Sequence, residues 1–133
     1  MARRRFATGT AALTAALLVL LASPAVAGDV AAPMSPVGDW RTRTDGVRQT
    51  ITFTADGQVS GDAGCNRFVG GYTVKGGTIA IGPLATTLMM CEDSVMAAES
   101  SFLTRIQAAV SYSATKRVLK IYAPKDLVRF TRR

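Results

Sequence analysis

Apolar and polar positions alternate with a period of two along much of the chain after residue 37. Ile51 and Phe53 alternate with Thr50, Thr52 and Thr54, the pattern of a half-buried strand with threonines outside. Asp56-Gly57 supplies a hairpin turn, and 58–62 returns as a second strand. Phe68, Tyr72 and Val74 share one parity and mark a third strand, which Lys75-Gly76-Gly77 turns. Ile79 and Ile81 mark a fourth, ended by Gly82-Pro83. The period then changes. Val95, Phe102, Leu103, Ile106, Ala109 and Val110 fall mostly at spacings of three, four and seven, which predicts a helix over 94–110. Asp93 or Ser94 is placed to cap it, with Glu99 and Arg105 on its polar flanks. Strand patterns resume at Leu119 and Ile121, turn at Pro124-Lys125-Asp126, and close with Val128 and Phe130. The fold class is mainly β with one helix: a small antiparallel curved sheet or barrel, the helix packed on or plugging one end.

The first 27 residues follow a different pattern. Arg3, Arg4 and Arg5 precede a 12-residue apolar run from Ala11 to Ala22, and Ala25-Val26-Ala27 is an A-x-A cleavage site. This is the layout of a secretory signal, with an apolar run too short to span a bilayer. Arg3-Arg4-Arg5-Phe6 also resembles a twin-arginine signal. The expected organisation is a signal at 1–27, a flexible Pro-containing segment at 28–36 and one domain at 37–133. No cysteine lies near the cleavage site to accept a lipid, so the product is expected in the periplasm or medium and not as a lipoprotein. No later stretch reaches transmembrane length. Export sets the redox context for Cys65 and Cys91, the two cysteines, and a Cys65–Cys91 disulfide is expected.

Composition narrows the chemistry. The chain of 133 residues has no histidine, which excludes Ser-His-acid and Cys-His catalysis and every His-ligated metal site. Two cysteines cannot build a four-cysteine zinc site or a cysteine-ligated iron–sulfur cluster. Thr86, Thr87, Ser94 and Ser111 are available hydroxyls, but none sits in a G-x-S-x-G or S-x-x-K pattern. Glu92, Asp93 and Glu99 gather where acids favour a helix dipole. Met89, Met90 and Met96 are soft ligands, yet such methionines serve more often as core filler. No enzyme, metal or cofactor is expected.

Charge is uneven. The formal charge is +7, and loss of residues 1–27 would remove three arginines and no acid. Lys116, Arg117, Lys120, Lys125, Arg129, Arg132 and Arg133 then face one acid, Asp126, over the last 18 residues. Strand alternation puts Lys120 and Arg129 opposite Leu119, Ile121, Val128 and Phe130. Such a face either aids solubility or contacts an anionic surface or an acidic partner. Nucleic acid is not expected, because basic and aromatic residues are not interleaved.

Several motifs resemble one family. Gly64-Cys65-Asn66-Arg67-Phe68-Val69-Gly70-Gly71-Tyr72 resembles the G-C-N-x-F-x-G-x-Y motif of META domains, the HslJ-like family. Thr86-Thr87-Leu88-Met89-Met90-Cys91 is similar to its T-T-x-M-x-C segment, and Glu99-Ser100-Ser101-Phe102-Leu103 to its E-x-x-F-L helix. Leu127-Val128-Arg129-Phe130 looks like its final strand. The resemblance implies a lipocalin-like barrel with one helix and an envelope protein linked to heat shock or other stress; it implies no activity and no catalytic residues. Gly64 and Gly70 read as sites of sharp turns or close backbone approach, Asn66 as a turn residue that tolerates left-handed geometry and bonds nearby backbone groups, and Phe68, Tyr72 and Trp40 as core aromatics. The expectation is therefore a non-enzymatic, monomeric exported binding or accessory module that meets an envelope protein or an anionic envelope surface. The alternatives are a carrier of a small apolar ligand in a barrel cavity, and an inhibitor or chaperone-like partner of another exported protein.

Overall fold

The computed structural model describes residues 34–133, together with Gly9. The signal at 1–27 and residues 28–33 lie outside this range. Nine strands and one helix follow in the described residues: β1 (Gly38–Thr44), β2 (Val47–Phe53), β3 (Gln58–Asp62), β4 (Arg67–Lys75), β5 (Thr78–Ile81), β6 (Ala85–Thr86), α1 (Asp93–Gln107), β7 (Ser111–Ala114), β8 (Val118–Ala123) and β9 (Asp126–Arg132).

All pairings are antiparallel, in the order β3-β2-β1-β9-β8-β7-β5-β4. Pairing of β3 with β4 closes this ring into an eight-stranded barrel. β6 adds a short flap to β4 through Phe68–Thr86 and Val69–Ala85. Closure removes the free edges that a small sheet would otherwise expose. The seam between β5 and β7 is the thinnest, with one residue pair, Thr78–Ser111.

Two strands carry too few apolar residues to show by alternation. β1 reads Gly-Asp-Trp-Arg-Thr-Arg-Thr, and β7 reads Ser-Tyr-Ser-Ala. Trp40, Thr44 and Tyr112 are their buried positions. The signal for β1 is its turn. Asp45 and Gly46 both have positive φ, +49° and +81°, between the paired Thr44 and Val47. This is the two-residue Asp-Gly hairpin whose twist suits flanking strands.

α1 touches β1 and β5, which stand well apart in the ring, and also β2, β8 and β9. It therefore lies across an opening of the barrel. Phe102 and Ile106 are fully buried with Trp40, Ile51, Phe53, Leu119, Ile121 and Phe130. The Phe102 ring lies 6.0 Å from Phe68 and 6.2 Å from Phe130, so the helix fills the interior with aromatic contacts. The helix ends at Gln107 rather than at Val110, because Val110 N–H donates to Tyr122 O and joins the sheet. Val110 and Val74 are exposed, outside the core. The residue before the helix, Glu92, is its cap, without a side-chain capping bond, so neither Asp93 nor Ser94 serves. Among the described residues no helix is long and apolar enough to cross a membrane.

Order begins before β1. Pro36 is buried, and the Trp40 indole N–H donates to its carbonyl at 2.7 Å. At the β2–β3 end, Tyr72 packs edge-on to Phe53 and donates its hydroxyl to Thr54 O at 2.6 Å. Burial, and then the nearby Asp56 charge and Tyr112, hold the Tyr72 phenol above its ordinary value of about 10. The unfolded chain ionises first, so this contribution is intact below about pH 10 and lost as pH rises through the raised folded value. Thermal melts followed by circular dichroism should show a steeper alkaline fall in Tm for the wild type than for Tyr72→Phe. Parallel curves would show that Tyr72 is not the group involved.

Candidate functional site

The motif residues converge on one turn. Residues 63–66 link β3 to β4, and Ala63 N–H donates to Asn66 O across this turn. Glu99, from the middle of α1, reaches into this turn. Its carboxylate accepts from Cys65 N–H at 2.9 Å, Asn66 N–H at 2.5 Å and Asn66 Nδ2 at 2.7 Å. Asn66 uses its other atoms on the segment after β6. Asn66 Oδ1 accepts from Met89 N–H at 2.6 Å and from the Thr87 hydroxyl at 2.9 Å. Thr87 Oγ1 in turn accepts from Arg67 N–H, while Thr87 N–H donates to Arg67 O. The Cys65–Cys91 disulfide closes the same cluster.

Three sequence expectations change here, one of them in part. Glu99 is not on a polar flank: it is 9% exposed, because three N–H donors replace its water. Asn66 is not left-handed, since Asp45 alone among the described non-glycine residues has positive φ; the other half of its expected role holds, because its amide bonds the Met89 backbone as well as Glu99. Met89 and Met90 are not core filler. With Leu88, which is 91% exposed, they form an exposed tip held at its base by Asn66 and Cys91. The Thr87 hydroxyl, one of the available hydroxyls in the sequence, both accepts from Arg67 N–H and donates to Asn66 Oδ1.

The two motif glycines have steric reasons. Gly64 has φ +120°, and a Cβ there would meet Val47 Cγ1 at 2.7 Å. A Cβ on Gly70 would meet Leu84 Cδ2 at 2.7 Å and Pro83 O at 2.8 Å, where the chain from β5 crosses β4.

The seven C-terminal cations do not form one surface. Lys116 and Arg117 lie at the β7–β8 turn, and Lys125 lies on the β8–β9 turn at the other end of β8. Arg132 is engaged, with its guanidinium 4.6 Å from the Trp40 ring centre and Nη1 donating to Val37 O. Arg133 N–H donates to Asp39 O. Only Lys120 and Arg129 face one another, as a cross-strand pair. Beside them, however, the closure of the barrel brings in β1 and β2. Arg41, Arg43, Arg48 and Arg129 line one surface groove of about 460 Å³ with Thr42 and Thr131. Arg43 and Arg48 are themselves a cross-strand pair. Among the described residues the one ion pair is Arg105–Asp126, on another part of the surface, where the guanidinium holds the Asp126 carboxyl below its usual range. The signal for two of the three added arginines is the alternation Arg41-Thr42-Arg43 after Trp40, silent without β1; the third, Arg48, joins them from β2 as the cross-strand partner of Arg43.

With the turn, the barrel and the groove in place, comparison with known proteins settles the lineage. The chain matches the META domain over residues 37–133. The chain belongs to the META domain family. No match to a curated protein is found. Among solved structures, this META domain resembles an NMR structure of a protein from Burkholderia xenovorans, at 22% identity and a TM-score of 0.58, over 72% of this chain and 81% of that one. A second NMR structure is 19% identical with a TM-score of 0.56, over 71% of this chain and 87% of that one. Both likenesses concern the fold. Within this META domain, the three sequence motifs make one structural knot: the turn of the first motif, the threonine segment of the second and the helical glutamate of the third bond one another. The groove lies elsewhere, on the outer face of β1, β2 and β9.

Proposed function

We propose that this META domain is a non-catalytic, exported accessory module that works by contact, through the basic outer face of β8, β9, β1 and β2. The observation that carries this reading is the adjacency of Lys120 and Arg129 on one hairpin and Arg43 and Arg48 on the next, with no carboxylate paired to any of them among the described residues. Unpaired cations on one face attract anionic surfaces at low cost in desolvation. The signal segment and the disulfide support an extracytoplasmic setting. A carrier needs an open interior, and here Phe53, Phe68, Phe102 and Phe130 fill it.

The test is charge reversal. Lys120→Glu with Arg129→Glu should cut the fraction of mature protein that sediments with envelope membranes and wall material at least about fivefold at low salt, and high salt should mimic the change. Unchanged association would discard the electrostatic contact and leave the exposed Leu88-Met89-Met90 tip as the contacting surface.

A further inference from the structure

We infer that the groove lined by Arg41, Arg43, Arg48 and Arg129 is a discrete binding site for a soluble anion carrying two or more phosphate groups. This rests on the reading of the basic face as the working surface, and it names the ligand chemistry within it.

The groove has a structural cause. β1 and β9 pair only at Trp40–Arg132 and Arg41–Thr131, and beyond these residues no further pairs form. The Thr42 hydroxyl spans the opening by donating to Arg129 O at 2.8 Å. A recess therefore forms where a regular sheet would present a flat face. Its volume of about 460 Å³ falls within the range of small-molecule sites.

The lining selects the ligand. Among the described residues every lining side chain is an arginine or a threonine. Guanidinium forks suit phosphate oxygens in bidentate geometry, and threonine hydroxyls add single donors. Among the described residues no aromatic side chain lines the groove, so none of them would stack on a nucleobase there. No apolar side chain of the described residues lines it either, so none of them would enter the acyl layer of a membrane there. The exposed Leu88, Met89 and Met90 follow β6, which pairs with β4, across the ring from β9.

The lining charges also oppose one another. Arg43 stands directly opposite Arg48, and such like-charge cross-strand pairs oppose folding. Arg43 Nη1 donates to Gly46 O at 2.9 Å, which fixes its direction without neutralising it. Four cations held together with no acid among the described lining residues lower their mutual repulsion when a multivalent anion enters. Two or more phosphates match four guanidiniums better than one does.

Titration calorimetry of the domain with sodium tripolyphosphate at low salt is the direct measurement. Binding should be saturable and weaken with added salt. Arg43→Gln with Arg48→Gln should weaken it at least about tenfold, without lowering Tm, because a repulsive pair is removed. Lys116→Gln with Lys125→Gln makes the same change in net charge outside the groove and should alter affinity by no more than about threefold. Equal weakening by both variants would overturn the site in favour of bulk charge. Binding to phosphatidylglycerol vesicles without binding to tripolyphosphate would overturn it in favour of a membrane surface. The envelope assay separates this site from the wider reading. If Lys120→Glu with Arg129→Glu abolishes envelope association but tripolyphosphate does not bind, the face stands and the groove fails. If tripolyphosphate binds the groove but neither double variant alters envelope association, the groove stands and the envelope contact fails.

Discussion

Glu99→Ala should destabilise the domain by about 3–5 kcal/mol, a loss at the upper end for a single polar side chain. The carboxylate accepts three bonds, two from backbone N–H groups of the 64–66 turn and one from the Asn66 amide. Asn66 is 6% exposed, so its donors have little access to water. Alanine leaves the Cys65 and Asn66 backbone N–H groups unpaired and Asn66 Nδ2 with only its 3.3 Å bond to Met89 O, at about 1–3 kcal/mol for each donor lost, offset where water enters the space vacated. Against a total stability of about 5–15 kcal/mol, the Tm should fall by at least about 12 °C. Glu99→Gln keeps the shape but turns an NH₂ group toward a donor, so its loss should be intermediate. The readout is a thermal melt of the oxidised protein. An alanine variant within about 3 °C of wild type would show that the carboxylate is not the anchor of this turn.

The legibility of this fold depends on where apolar residues happen to stand. β2, β8 and β9 each alternate two large apolar residues and are visible in sequence. The β1–β2 hairpin also buries two polar side chains, Thr44 on β1 and Gln49 on β2, so hydrophobic alternation misses β1. The helix is visible by its period, but Ala109 and Val110 extend that period spuriously: Ala109 packs from the turn, and Val110 has already joined the sheet. Function-bearing geometry is further from the sequence still. A glutamate between Ala98 and Ser100 reads as a solvated position, because nothing in a linear pattern shows three N–H donors arriving from a turn 33 residues away. A basic run at the C-terminus reads as one surface, yet the length of β8 separates Lys125 from Lys116 and Arg117. The cations that do gather come from β1, β2 and β9, and they meet because β1 pairs with β9 on closing the barrel.

Reduction of the Cys65–Cys91 disulfide should cost about 3.5 kcal/mol, the loop-entropy value for its 26-residue separation. The mechanism acts mainly on the unfolded chain. The cross-link forbids the ends of 65–91 from separating, and its loss returns that freedom to the denatured state. Denaturant melts should therefore show two changes together on reduction: a lower midpoint, and a higher m-value as the unfolded chain expands. The folded structure predicts a third. The disulfide and Glu99 secure the same turn, one from the segment entering α1 and the other from within the helix. With both present, loss of either leaves the turn tethered to α1. With one already gone, loss of the second frees the turn, so the two losses together should exceed the sum of the single effects. Glu99→Ala under reducing conditions is expected to be largely unfolded at about 37 °C, where either change alone leaves a folded domain. If the two effects simply add, the cross-link acts on the unfolded chain alone and the turn has another anchor. An unchanged midpoint on reduction would refute the loop-entropy contribution itself.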